Sequence, residues 1–153
     1  MGVLNVTPDS FSDGGVNLLR ADAVRAGLAM VEQGAALIDV GGESTRPGSS
    51  AVSTQEELRR VVPVIEDLAA EGVVVSVDTS KPEVARAAVD AGAEIVNDVT
   101  AIATEEMRSV VAETGVGVVL VHMQGSPPTM QADPSYDDVV ADVMAFLGQR
   151  ARA

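Results

Sequence analysis

The sequence predicts an α/β fold with a parallel sheet, and three observations lead to that prediction. Short aliphatic runs alternate with helical patterns along the 153 residues, and no two runs lie close enough to form a hairpin. Each run ends at a polar side chain. The long loops follow strands, whereas the helix-to-strand links are one or two residues centred on glycine. That asymmetry favours a (β/α)8 barrel, although the alternation also fits an open, doubly wound sheet.

The first half of the chain contains two strands separated by a helix. We expect the first strand over residues 1–6 and a loop over 7–17, which is rich in Gly, Ser and Asp. Apolar residues at helical spacing predict a helix over 21–33. The second strand is expected over 36–40, followed by a second long loop over 41–53.

Helix start signals organise the middle of the chain. Ser53 or Thr54, followed by Glu56 and Glu57, reads as a capping box, which opens a helix to residue 71. The third strand is expected over 73–77. Ser80 as a cap and Pro82 in the first turn predict a third helix that reaches residue 91.

The last part repeats the alternation. We expect a strand over 94–99, a helix over 104–114, a strand over 116–121, and a last helix over 136–150 after a Pro-containing loop. The single domain, residues 1–153, would then hold about five βα units, whereas a closed eight-unit barrel takes about 250 residues. Either the sheet is open, or the chain is an incomplete piece of a TIM-type barrel.

Composition excludes several classes of partner. The net charge of −13 argues against nucleic acid or an anionic membrane, because neutralising phosphates needs clustered Lys and Arg. No apolar stretch approaches the roughly 18 residues that a membrane helix needs. The chain has no cysteine, which excludes disulfides and thiolate chemistry. No signal peptide precedes Met1, so a cytoplasmic location is the expectation.

Polar side chains stand where the aliphatic runs end. They are Asn5, Asp39, Asp78, Asn97 with Asp98, and His122. In parallel α/β folds ligands bind beyond the carboxyl ends of the strands. We therefore expect these groups to form one convergent site, with the roles of Asp39, Asp98 and His122 open between ligand contact and structural support.

Longer motifs resemble one known family. They are residues 1–15 (MGVLNVTPDSFSDGG), 39–48 (DVGGESTRPG), 76–79 (SVDT), 97–98 (ND) and 122–125 (HMQG). In this order and spacing they closely resemble dihydropteroate synthase over essentially the whole chain. The resemblance implies a (β/α)8 barrel that joins para-aminobenzoate to 6-hydroxymethyl-7,8-dihydropterin diphosphate. This transferase releases pyrophosphate and forms 7,8-dihydropteroate in folate biosynthesis; a homodimeric parent and sulfonamide inhibition are also implied.

The same resemblance implies a pterin and metal site. Asn5 would bind a Mg²⁺ that also contacts the diphosphate, which is ordinary hard-cation coordination. Asp78 and Asn97 would hold the pterin ring, with Met123 packing nearby. A carboxylate and an amide can match the donor and acceptor edge of a fused ring, and unpaired buried polar groups would penalise other rings.

The two long loops would supply the remaining contacts. Thr45 and Arg46 are carried over as catalytic residues, with the Thr45 hydroxyl bonded to the leaving phosphates, where negative charge develops. Phe11, Arg46 and Pro47 would close over para-aminobenzoate. The amine nucleophile then needs mainly positioning.

The chain also departs from the family pattern. It contains no Asp-Pro-Gly segment, no later Lys-containing segment and no final Arg-x-His, and its one lysine is Lys81 at a predicted helix start. We therefore expect the isolated chain to be inactive, whereas the complete synthase, its parent protein, is active. Its first and fifth strands would keep unpaired edges, which favours association.

Two other interpretations stay open. A pterin-binding module of a folate-linked methyltransferase would share the barrel and the Asp/Asn pair but use no diphosphate. A non-catalytic half-barrel would serve folding or assembly and bind no pterin.

Overall fold

The computed structural model describes residues 1–7, 16–43, 51–125, 129–130 and 133–153. Within these residues five strands alternate with five helices, as predicted. In chain order they are β1 (Gly2–Asn5), α1 (Val16–Glu32), β2 (Ile38–Gly41), α2 (Thr54–Ala70), β3 (Val75–Asp78), α3 (Pro82–Asp90), β4 (Ile95–Asp98), α4 (Glu105–Thr114), β5 (Gly117–Leu120) and α5 (Val139–Arg150).

The sheet is parallel, and its strands lie in the order β1-β2-β3-β4-β5. A doubly wound sheet would reverse its strand order at a switch point. Crossovers between neighbouring parallel strands are right-handed, so a sequential order sends every connecting helix to the same face. Helices α1 to α4 accordingly pack each against the next. The described sheet is therefore a run of consecutive (β/α)-barrel units rather than an open doubly wound sheet.

The core lies between this sheet and the helices. One register row of strand residues is buried against α2 and α3 and is formed by Leu4, Val40, Val77 and Val96. The facing helix residues include Val61, Ile65, Leu68, Val84 and Ala88. Each buried Val, Leu or Ile side chain contributes about 1.5–3 kcal/mol on full burial, so this core stabilises the packing of the helices on the sheet.

Two helix boundaries differ from the predicted ones. Helix α1 begins at Val16, within the predicted loop, because the breaker-rich sequence ends at Gly15 and good helix formers follow from Leu18 onward. Helix α5 begins at Val139 rather than at residue 136. There the Asp138 side chain accepts the backbone N–H groups of Val140 and Ala141, which sets the start of the helix.

The capping predictions had different outcomes. Ser53 caps α2 as expected, since its hydroxyl accepts the Glu56 backbone N–H at 3.3 Å. Ser80 was wrong as the cap of α3, because the N-cap residue is Lys81 and it makes no side-chain cap bond. Ser80 is exposed. The local bond comes instead from Thr79, whose hydroxyl accepts the Lys81 backbone N–H at 3.2 Å.

The face of the sheet opposite the helices is partly open. Val3 is 55% exposed on β1 and Val119 is 42% exposed on β5. Among the described residues, β1 pairs only with β2 and β5 only with β4. In the same part of the chain, no helix combines the length and the hydropathy needed to cross a membrane.

Candidate functional site

Three of the predicted site residues lie side by side on the face opposite the helices. Asn5 pairs in register with Gly41, Gly41 with Asp78, and Asp78 with Asn97. Register partners in a parallel sheet point to the same face. Asn5, Asp78 and Asn97 therefore form one row across four neighbouring strands at their carboxyl ends, where the sequence predicted them.

Gly41 leaves space inside this row. A Cβ atom added to Gly41 would stand 3.5 Å from Asp78 Oδ2 and 3.7 Å from Asn5 Oδ1. The side chains of Asn5 and Asp78 thus lean over Gly41 from its two sides. The absence of a side chain keeps a gap between an amide oxygen and a carboxylate oxygen, both able to face a ligand.

A second polar row lies below the first on the same face. Asp39 and Ser76 are register partners on β2 and β3. Asn97 Nδ2 donates to Asp39 Oδ2 at 3.0 Å, which joins the two rows. Asp39 is 3% exposed and Ser76 is 1% exposed, so these polar groups lie in a nearly dry environment.

Several polar atoms of these rows lack a partner. Within the described part of the chain, the buried side-chain atoms without a hydrogen bond are Asp39 Oδ1, Ser76 Oγ and Asn97 Oδ1. Buried polar groups in native proteins are nearly always satisfied, and each one left unmade costs about 1–3 kcal/mol. Their occurrence on one face, beside Asp78, indicates a ligand with several hydrogen-bonding groups.

The carboxyl of Asp78 has an unusual acidity. Burial, followed by the nearby carboxylates of Asp39, Glu57, Asp98 and Glu43 in that order, raises the pKa of Asp78 from 3.8 to about 7. A carboxyl with a pKa near neutrality is common at functional sites. A ligand donor aimed at Asp78 would favour its ionised form.

An ion-pair network supports the row from the helix side. Lys81 Nζ donates to Glu43 and to Glu57, and Thr79 Oγ1 donates to Glu57 Oε1 at 2.6 Å. Glu57 lies on α2 and is 1% exposed. The two hydrogen bonds to carboxylates raise the pKa of Lys81 above its usual value, although burial acts in the opposite direction.

The prediction that the polar groups at the strand ends converge was wrong for Asp98, one of the two such groups at the end of β4. Asp98 follows Asn97 directly and so points to the helix side, where it accepts Thr100 N at 2.8 Å and Ile102 N at 2.9 Å. His122 packs edge-on against Phe146, with ring centroids 4.9 Å apart, and lies 5.7 Å from Tyr136. Asp98 thus holds a turn and His122 contacts two other rings, whereas Asp39 joins the site through its bond with Asn97.

The remaining predicted site residues lie either beyond the end of β5 or outside the described residues. Met123 is half-buried and follows β5, the strand next to that of Asn97. Phe11, Thr45, Arg46 and Pro47 lie outside the described residues. The metal prediction depends on Asn5 alone, because the described residues contain no group of three or more His, Cys, Asp or Glu that could hold a metal ion.

Sequence reasoning missed Ser76 and Glu57. Ser76 stands two residues before Asp78, and the period of a strand sends both to one face. Glu57 stands four residues before Val61 and seven before Val64, which are core positions of α2. A carboxylate on the apolar face of an amphipathic helix is a signal that can be read from sequence, because such a group needs a partner.

Comparisons with known proteins agree with this geometry. A family described as pterin binding enzyme matches residues 1–153. Dihydropteroate synthase of Escherichia coli K12 is 54% identical over 154 residues, which cover 99% of this chain and 55% of that protein. The chain therefore spans about half the length of this relative.

Solved structures of dihydropteroate synthases are also similar to this chain. Xanthomonas albilineans dihydropteroate synthase with 4-aminobenzoic acid superposes with a TM-score of 0.87 at 55% identity, covering 97% of this chain and 53% of that one. The same enzyme in complex with 7,8-dihydropteroate superposes at 0.81 with 50% identity, covering 97% and 52%. These structures are TIM barrels of which the chain covers about half, so the prediction of an incomplete barrel of about five units is confirmed.

Proposed function

This chain belongs to the pterin binding enzyme family, and from that premise we propose that it forms the pterin-holding part of a dihydropteroate synthase. The proposed reaction joins para-aminobenzoate to 6-hydroxymethyl-7,8-dihydropterin diphosphate. It releases pyrophosphate and forms 7,8-dihydropteroate in folate biosynthesis. The relatives bear that enzyme's name, and one solved relative is a complex with 4-aminobenzoic acid.

The unpaired polar atoms beside Asp78 are the observation that supports this proposal most. Asn97 Oδ1, Asp39 Oδ1 and Ser76 Oγ are buried without partners on the same face as Asp78. The edge of a pterin ring presents ring N–H and amino groups together with acceptor atoms. Such a ring would satisfy several of these atoms at once, and a ring without matching donors would leave them unpaired.

The pterin contacts divide between three residues. Asp78 would accept N–H groups of the ring in its ionised form, and Asn97 would accept another through Oδ1. Asp39 would hold the Asn97 amide, because its Oδ2 accepts Asn97 Nδ2 at 3.0 Å. That bond fixes which end of the amide faces the ligand. Met123, after the neighbouring strand, would pack against the ring.

The diphosphate side of the site would lie near Asn5. The Asn5 oxygen is a hard donor beside the gap above Gly41, which fits a Mg²⁺ that takes one protein ligand and completes its shell with phosphate oxygens and water. When bound, the ion would supply positive charge where the leaving pyrophosphate becomes more negative. The residues of this chain would bind and orient the ring beside it.

The remaining roles rest on the family motifs. Thr45 would donate to the leaving phosphates, and Phe11, Arg46 and Pro47 would surround para-aminobenzoate. A homodimeric parent, a cytoplasmic location and sensitivity to sulfonamides belong to the same proposal. Analytical ultracentrifugation, cell fractionation and inhibitor titration would test these three properties separately.

Ligand titration tests the proposed function directly. The chain is titrated by calorimetry with 6-hydroxymethyl-7,8-dihydropterin diphosphate, with and without Mg²⁺, and Asp78→Asn is compared with Asp90→Asn on the exposed end of α3. We expect Mg²⁺-dependent binding that Asp78→Asn weakens at least roughly tenfold, the loss of one good hydrogen bond to a charged group. Asp90→Asn should bind the pterin diphosphate as tightly as the unsubstituted chain, which is called the parent chain below.

Two results would count against the proposal. Saturable binding that is identical in Asp78→Asn would remove the pterin from this face of the sheet. Binding of a pterin without any effect of the diphosphate or Mg²⁺ would favour the folate-linked methyltransferase module instead.

A further inference from the structure

Helix α2 turns a charged side chain toward the core. Glu57 is 1% exposed and lies on the same helix face as Val61, Val64 and Leu68. A buried carboxylate is costly unless it is paired and hydrogen-bonded. The bonds that Glu57 makes therefore indicate its role at this position.

Glu57 bonds to two residues of the turn between β3 and α3. Thr79 Oγ1 donates to Glu57 Oε1 at 2.6 Å, and Lys81 Nζ donates to Glu57 Oε2. Lys81 Nζ also donates to Glu43, which follows β2. One carboxylate on a helix thus connects the segments that leave two neighbouring strands.

Thr79 is held from two sides. Its hydroxyl bonds to Glu57 on α2, and its backbone N–H donates to Asn97 O on β4 at 3.1 Å. Asp78 directly precedes Thr79 and is the register partner of Asn97. The turn that Glu57 holds is therefore the one that sets the position of Asp78 relative to Asn97.

The end of β2 is anchored to the same part of α2. Arg60 Nη1 donates to Gly42 O at 2.9 Å. A Cβ added to Gly42 would stand 2.8 Å from Val61 Cγ1 and 3.0 Å from Glu57 Cγ, so the backbone touches the helix here. Helix α2 thus contacts the segments that follow β2, the strand of Gly41, and β3, the strand of Asp78.

We propose that Glu57 is a positioning residue, whose buried carboxylate clamps the turn after β3 through Thr79 and Lys81 and so holds Asp78 in line with Asn97. Glu57 itself touches no ligand and acts through Thr79. The inference rests on the proposed function, since the pterin is the ligand that Asp78 and Asn97 would hold.

Substitutions of Thr79 test the clamp. Thr79→Val removes the hydroxyl with little change of shape, so that the bond to Glu57 and the local bond from Lys81 N are both lost, while the ion pair between Glu57 and Lys81 stays in place. Thr79→Ser keeps the hydroxyl and should restore the bond. Thr104→Val is the matched control, because the Thr104 hydroxyl caps α4 by accepting Met107 N. The control loses one hydroxyl bond without touching the clamp.

The first measurement needs no ligand. Backbone hydrogen exchange should become about tenfold faster at the Thr79 N–H in Thr79→Val and remain near the parent rate in Thr79→Ser and Thr104→Val. Glu57→Gln should show the same loss in part, because its amide can still accept from Thr79 but no longer pairs with Lys81. Unchanged exchange in Thr79→Val would overturn the clamp.

The second measurement is pterin affinity by calorimetry. Thr79→Val should bind the pterin diphosphate about tenfold more weakly, Thr79→Ser within about twofold, and Thr104→Val as tightly as the parent chain. Equal affinity of Thr79→Val and the parent would overturn the positioning role even if exchange changed. If the parent chain bound no pterin, the proposed function would fail, and the exchange measurement would still decide whether the clamp exists.

Discussion

Asn97 donates a 3.0 Å hydrogen bond to Asp39 across the strand that lies between them. Asn97 is on β4 and Asp39 on β2, so the bond crosses β3. The oxygen of the Asn97 amide has no partner within the described residues and can face a ligand. The side chain that presents a predicted contact is thus oriented by a second residue that sequence reasoning had left undecided.

Removal of Asp39 should disorder this contact. In Asp39→Ala the Asn97 amide loses its partner and can rotate, so we expect pterin binding to weaken about tenfold, as for the loss of one oriented hydrogen bond. Calorimetric titration of the variant and the parent chain measures this difference. Affinity within a factor of two would mean that Asp39 does not orient Asn97. Asp90→Asn again serves as the control, since it removes a carboxylate on an exposed helix end.

Removal of the Ser76 hydroxyl should stabilise the unliganded chain. Its hydroxyl is buried without a partner, so Ser76→Ala should raise the free energy of unfolding of the unliganded chain by about 1 kcal/mol. Urea unfolding followed by circular dichroism measures the change. A loss of stability of similar size would instead mean that the hydroxyl is satisfied in solution. Ligand titration of the same variant would then show whether Ser76 also contacts the pterin.

The stability of the chain should depend on pH through Asp78. Its pKa is about 7 in the folded chain against 3.8 as the ordinary value, so the folded state binds the proton more tightly than the unfolded state does. The stabilising contribution is therefore complete below about pH 4 and is lost as the pH rises through 7. About three pKa units correspond to a loss of up to about 4 kcal/mol.

Asp78→Asn tests this pH dependence. We expect the variant to be more stable than the parent chain at pH 8 and to show a smaller change in unfolding free energy between pH 5 and pH 8. Other carboxyl groups titrate in both proteins, so the difference between the two curves isolates Asp78. Parallel curves for the two proteins would show that the carboxyl of Asp78 titrates normally.

Asp98 should matter for folding. It accepts Thr100 N and Ile102 N in a turn where Ala101 and Ile102 have φ of 54° and 49°, a left-handed conformation that a β-branched residue rarely adopts. Asp98→Ala leaves the Ile102 N–H buried without a partner and should destabilise the chain by about 2–4 kcal/mol. Chemical denaturation measures this loss. A change below about 1 kcal/mol would mean that the turn holds without Asp98.

Much of the site could be predicted from local pattern. Aliphatic runs that stop at Asn5, Asp78 and Asn97 place polar groups at the carboxyl ends of parallel strands, and the alternation of strands and helices brings those ends to one rim. Asn97 and Asp98 show what local pattern could not predict. Neighbouring residues of a strand face opposite sides, but which side the helices cover depends on the handedness of the crossovers and on packing across the whole sheet.

Glu57 and His122 also have contacts that local pattern could not predict. A carboxylate at a core position of α2 could be noticed in the sequence, yet its partners Thr79 and Lys81 lie more than twenty residues away. The sequence left the role of His122 open, because a strand precedes it but a lone histidine is often a core residue. The rings that His122 contacts belong to Phe146 and Tyr136, near the end of the chain. No local sequence pattern links these residues to β5.

The sequence alone determined the order of the elements, the aliphatic core and the motifs of the pterin binding family, because each depends on residues close together in the chain. Only the tertiary structure decided which polar groups share a face, which of them stay unpaired, and how α2 holds Asp78. Those properties depend on register and burial, which arise when distant segments pack and water is excluded between them.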